Sequence, residues 1–120
     1  MSKNPRIFIT GDTHGSMDIR KLSNKKFPQH NMLTKDDYVI ICGDFGLVWD
    51  NSNEEKYWQK WLDDRNFTTL FVAGNHENYD LLEQYPTEEW NGGKIRRISD
   101  SIFQLMNGEI FNIHGKTFFV

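Results

Sequence analysis

The sequence predicts an α/β fold in which parallel strands, joined by crossover helices, are followed by antiparallel hairpin strands. Three observations carry this expectation. Nearly continuous apolar runs recur at "RIFIT" (6–10), "YVIIC" (38–42) and "FTTLFVA" (67–73), the character of strands buried on both faces. The intervals between them are long enough for the crossover connections that parallel neighbours require, and one interval carries a clear helical period. Beyond residue 93 the period shortens into brief strands separated by turn residues, which reads as hairpins.

Taken in order, "RIFIT" is the first strand and "YVIIC" the second. The stretch "NSNEEKYWQKWLDDRN" (51–66) follows as a helix, with Ser52 or Asn53 as its cap and acids in its first turn. Tyr57, Trp58, Trp61 and Leu62 fall on one face, and an aromatic stripe at helical spacing reads as a packing face. "FTTLFVA" is the third strand. A short helix around "ENYDLLEQY" (77–85) is ended by Pro86. "KIRRIS", "IFQLM", "EIFNI" and "KTFFV" are the hairpin strands. The step His114–Gly115 between the last two suits a two-residue turn, with glycine supplying positive φ, which makes His114 a turn residue.

A length of 120 residues matches one domain spanning 1–120. With 38% apolar and 14% aromatic residues there is ample material for a core. A net charge of −3 provides no basic field for a nucleic-acid backbone, and "KIRR" alone reads as a solvated face. The single cysteine, Cys42, allows no disulfide framework and reads as a small buried thiol. No run approaches the length of a membrane span, and "MSKNPR" lacks the apolar segment of a secretion signal, so the expected location is the cytoplasm. The sequence closes on the apolar strand "KTFFV". The expectation is a domain incomplete at its C-terminus, or one whose exposed last strand pairs with a second copy.

The chemistry gathers just after the first three strands, in "GDTHG" (11–15), "GDFG" (43–46) and "GNHEN" (74–78). In an open α/β sheet, ligands bind outside the carboxyl ends of the strands, so Asp12, His14, Asp44, Asn75 and His76 are expected to converge. Carboxylate, imidazole and amide donors together suit Mn²⁺, Fe or Zn²⁺. Each residue has a plainer use: Asp12 as a helix cap, Asp44 in a turn, Asn75 in an Asx-turn. Repetition at three successive strand ends favours the shared site, since capping needs neither histidine nor agreement between distant turns. A dinucleotide-binding loop is poorly matched, because "GDTHGS" puts acid and imidazole where bare backbone must approach a pyrophosphate.

The series D-x-H, G-D and G-N-H-E, each after a buried strand, resembles the calcineurin-like metallophosphoesterase superfamily over residues 6–80. The resemblance implies the N-terminal part of an αββα sandwich, with the later hairpins similar to the region where its second sheet begins. It implies a dinuclear metal centre for phosphoester hydrolysis, with two divalent ions, Mn²⁺ first and Fe or Zn²⁺ as alternatives. Asp12 and His14 would hold the first metal, Asp44 would bridge both, and Asn75 would hold the second. His76 would stand outside the metal shell, near the leaving oxygen as a general acid, or would stabilise the transferring phosphoryl group. The implied partner is a phosphoester substrate, whether phosphoprotein, nucleotide or small molecule. The sequence departs from the family in lacking the downstream G-H and G-H-x-H steps, and "GDFGLVWD" (43–50) differs from the V-D-R-G continuation of the protein phosphatases. A non-catalytic metal-binding or interaction module on the same scaffold is the alternative reading.

Overall fold

The computed structural model describes residues 6–10, 33–42, 52–73 and 78–120. Strands β1 (Ile7–Thr10), β2 (Tyr38–Cys42) and β3 (Thr68–Val72) form where the apolar runs predict them. Helix α1 (Asn53–Asp63) lies between the second and third. Short helix α2 (Tyr79–Leu82) is followed by β4 (Thr87–Trp90), β5 (Gly93–Ser99), β6 (Ile102–Leu105), β7 (Ile110–Ile113) and β8 (Lys116–Phe119).

A six-stranded mixed sheet has the order β1-β2-β3-β6-β5-β4, and β7-β8 form a separate two-stranded sheet. β1, β2, β3 and β6 are mutually parallel, β5 is antiparallel to β6, and β4 is antiparallel to β5. Each step from β1 to β2 to β3 to β6 moves the same way across the sheet. Right-handed crossovers then deliver their helices to a single face. One core accordingly packs Val39, Ile41, Phe71 and Ile102 of the sheet against Leu62 of α1 and Leu82 of α2. The opposite face offers Ile40, Leu70, Ile95, Phe103 and Leu105 to Phe111 and Ile113 of the β7-β8 hairpin. The result is an α/β arrangement of helices, main sheet and the beginning of a second sheet.

Local chemistry sets the elements. Ser52 is the cap of α1, its side chain accepting from the Glu55 amide at 3.1 Å, and Asn78 caps α2 in the same way. Two hairpins close on two-residue turns in which both residues have positive φ, Asn91–Gly92 at 50° and 93° and His114–Gly115 at 52° and 81°, the twist that adjoining strands favour.

Four expectations are corrected. Strand β4, "TEEW", was not foreseen, because its charged residues lack strand propensity; the Asn91–Gly92 turn folds it back onto β5. β6 is not only a hairpin partner of β5, since its other edge joins β3 in parallel. Tyr57 does not belong to the packing face of α1: it is 61% exposed, whereas Leu62 is fully buried and Trp58 and Trp61 are half-buried against the helix-side core. Cys42 is exposed, not buried, because it ends β2 beyond the hairpin's cover.

Candidate functional site

The parallel strands define two edges with different chemistry. At the amino edge, Asp37 is 5% exposed and ties three segments together. Its Oδ1 accepts from the Arg6 amide at 2.6 Å and its Oδ2 from the Thr34 amide at 2.8 Å. Its carbonyl accepts from the Thr68 amide at the start of β3. Beside it, the Lys35 ammonium donates to the Asp63 and Phe67 carbonyls and to Ser101 Oγ, at 2.8–3.0 Å. Desolvation pulls the Lys35 pKa below its ordinary value, against the opposing charges of Asp63 and Asp64. Asp63 Oδ1 in turn accepts from Ser99 Oγ, Ser101 Oγ and the Ser101 amide. A polar cleft of about 470 Å³ opens here, lined by Lys35, Lys60, Asp63, Asp64, Thr68, Asp100 and Ser101. Its buried groups bond to one another: Thr68 Oγ1 donates to the Lys35 carbonyl, and Ser101 joins Lys35 to Asp63. The cleft therefore reads as a cross-linked joint between α1, β3 and β6.

His114 belongs to the same edge. Its Nε2 lies 2.6 Å from the Asp36 carbonyl, as a donor, and its ring stacks on Tyr38 at 5.1 Å between centroids. Tyr38 opens β2, about 13 Å of strand from Cys42 at the other end. His114 is thus a turn residue that docks the hairpin, as the sequence suggests. Burial, and then the charges of Asp36 and Asp37, raise the Tyr38 pKa.

The carboxyl edge is where β1, β2, β3 and β6 finish. Thr10 pairs with Ile41, and Cys42 with Val72, so the first three strands stop within one residue of one another. Exposed Ile9 and Cys42 lie at this edge, and partial burial raises the Cys42 thiol pKa. Asp12, His14, Asp44, Asn75 and His76 lie outside the described residues. Among the described residues no group of three or more His, Cys, Asp or Glu side chains is placed to hold a metal ion.

A model of the calcineurin-like phosphoesterases matches residues 5–119. The chain belongs to that family. Comparison with curated proteins and with solved structures returned no match. Family membership fits the architecture, a mixed sheet of parallel strands with helices on one face and a second sheet beginning on the other. It associates the chain with phosphoester hydrolysis and with divalent metals as a class. Among the described residues, no helix is long and apolar enough to cross a membrane.

Sequence reasoning overlooked Asp37 and Lys35. An aspartate immediately before an apolar strand was the available signal for Asp37, since a carboxylate there can accept from backbone amides at a strand's start. Nothing local marks Lys35, whose three acceptors come from residues 63, 67 and 101.

Proposed function

We propose that the protein is a metal-dependent phosphoester hydrolase whose dinuclear centre forms at the carboxyl edge of β1, β2 and β3. The observation that carries this reading is the near-level ending of three adjacent parallel strands. Neighbouring strands lie about 4.8 Å apart, so the three ends fall within about 10 Å. Asp12 and Asp44 follow their strands by two residues and Asn75 by three. At about 3.5 Å per residue, chain reach keeps each within about 11 Å of its strand end. His14 and His76 follow by four residues, a reach of about 14 Å, and these short tethers support a reading in which the five donor-bearing residues gather at this edge, where open α/β folds bind ligands.

The donor set fits a pair of divalent cations such as Mn²⁺, Fe or Zn²⁺. When bound, such a pair neutralises phosphate charge and makes water a better nucleophile near neutral pH. Asp12 and His14 would hold one ion, Asp44 both, and Asn75 the other. His76 would stand outside the metal shell and pass its ring N–H proton to the leaving oxygen, the role of a general acid. The substrate is a phosphoprotein, a nucleotide or a small phosphoester. The proposal carries a cytoplasmic setting, supported by the lone, unpaired cysteine. It also includes self-association through β8, supported by Phe119 at 78% exposure and by pairing to β7 alone among the described strands.

The test is hydrolysis of a chromogenic phosphomonoester and phosphodiester by the chain with Mn²⁺, beside a chelator control and His76→Ala, with Mn²⁺ binding followed by calorimetry. Turnover abolished by both controls supports the proposal. Mn²⁺ binding without turnover in a folded sample overturns catalysis by this chain and leaves the metal-binding module. Loss of both overturns the metal reading itself. Sedimentation at several concentrations tests self-association, with Phe119→Ser expected to favour the monomer.

A further inference from the structure

We propose that Thr69 and Gln104 together bind one internal water molecule at the seam between β3 and β6. Thr69 is fully buried and Gln104 is 6% exposed, yet Thr69 Oγ1 and Gln104 Oε1 have no hydrogen-bond partner among the described residues. Buried polar atoms without partners are rare in folded proteins, because desolvation removes their bonds to bulk water and nothing replaces them.

The register explains how the two meet. Thr69 is opposite Ile102 and Phe71 is opposite Gln104, so Thr69 and Gln104 are diagonal neighbours, with backbones about 7–8 Å apart. Side chains two residues apart share a face, and Phe71 and Ile102 both belong to the helix-side core. Both polar groups therefore point into the same apolar layer. A hydroxyl can donate or accept and an amide oxygen accepts, so one water can donate to Gln104 Oε1 while exchanging a second bond with Thr69 Oγ1. Internal waters take two to four such partners.

The position gives the water a structural role. The β3-β6 pairing joins β1, β2 and β3 to the strands β6, β5 and β4, and a one-residue slip would carry Gln104 to the hairpin face. A bridge available in only one register makes that join specific. Thr69 lies one residue after the start of β3 and Gln104 one residue before the end of β6, so the bridge sits within the body of the sheet and does not depend on the phosphoesterase assignment.

The experiment combines water-to-protein cross-relaxation NMR on the unaltered chain with a double-mutant cycle of Thr69→Val and Gln104→Leu. Cross-peaks are expected between a long-lived water and the Gln104 side-chain amide protons, and their loss in Thr69→Val. Each single variant should lower the unfolding midpoint, and the double variant should lower it by less than the sum. Absence of a long-lived water signal in the unaltered chain overturns the proposal, including where the two side chains couple by a direct bond. Single variants that each raise the midpoint additively overturn it as well, since that is how two dry, unpaired polar groups behave. The first measurement needs no variant, so a failure of either variant to fold leaves the proposal falsifiable.

Discussion

Replacing Asp37 with alanine should be among the most damaging single changes at the amino edge, and the structure supplies the magnitude. The carboxylate accepts two backbone amides, Arg6 at 2.6 Å and Thr34 at 2.8 Å, from a residue only 5% exposed. Removing it leaves both donors without their acceptor in a partly buried setting, at about 1–3 kcal/mol each. Some recovery by water at this edge brings the expected loss to about 2–4 kcal/mol. For a chain of this size each kcal/mol moves the melting temperature by about 3–6 °C, so Asp37→Ala should melt about 6–24 °C lower. The adjacent exposed Asp36 is the control, because its hydrogen bonds among the described residues run through its backbone, the carbonyl accepting from His114 and the amide donating to Thr34 Oγ1. Asp36→Ala should stay within about 0.5 kcal/mol of the parent. Differential scanning fluorimetry of both variants, with chemical denaturation to fix the free energies, makes the comparison. If Asp37→Ala lost no more than Asp36→Ala, the role of the Asp37 carboxylate in tying Arg6, just before β1, to Thr34, ahead of β2, would be refuted.

Other expectations follow from single contacts. A Cβ at Gly93 would lie 2.7 Å from Phe111 Cε1 and 3.0 Å from the Ile110 carbonyl, so Gly93→Ala should destabilise by about 1–3 kcal/mol through overpacking, read as a lower urea midpoint. The Glu88 carboxyl is held below its ordinary pKa of 4.5, first by its hydrogen bond with Arg97. Its stabilisation should be present above pH 4.5 and fade as pH falls through the lowered folded value. Glu88→Gln should therefore show a shallower drop in melting temperature on acidification, and parallel curves would contradict this. At His114, where φ is 52°, the parent already carries about 1–2 kcal/mol of left-handed backbone strain, so His114→Ala should lower the melting temperature through loss of the bond to Asp36 and the stacking on Tyr38. His114→Gly should lose the same contacts but shed the strain, giving a melting temperature above that of His114→Ala.

The candidate site was legible as residue types at a spacing: an acid and an imidazole after the first strand, an acid after the second, an amide and an imidazole after the third. Their convergence depends on strand order, which no local pattern encodes. The near-level ends of β1, β2 and β3 are a property of register. Cys42 and Tyr57 show the same division. Their patterns mark strand and helix correctly, but which end of a strand lies beyond the hairpin's cover, and which flank of a helix faces the sheet, follow from packing.

By itself the sequence determined what is decided within a few residues. β-branched and aromatic runs make β1, β2 and β3, Ser52 caps α1, and His114–Gly115 closes β7 onto β8, because side-chain sterics, capping bonds and turn φ act locally. The Asn91–Gly92 step belongs with these, as a local hairpin signal strong enough to have announced β4. Only the tertiary structure decided that β6 lies against β3, that both helices share one face, and that Asp37, Lys35 and His114 gather at the amino edge. Those outcomes depend on partners thirty to eighty residues away in the chain. They are chosen by burying two faces of one sheet at once, a condition that only the whole chain can satisfy.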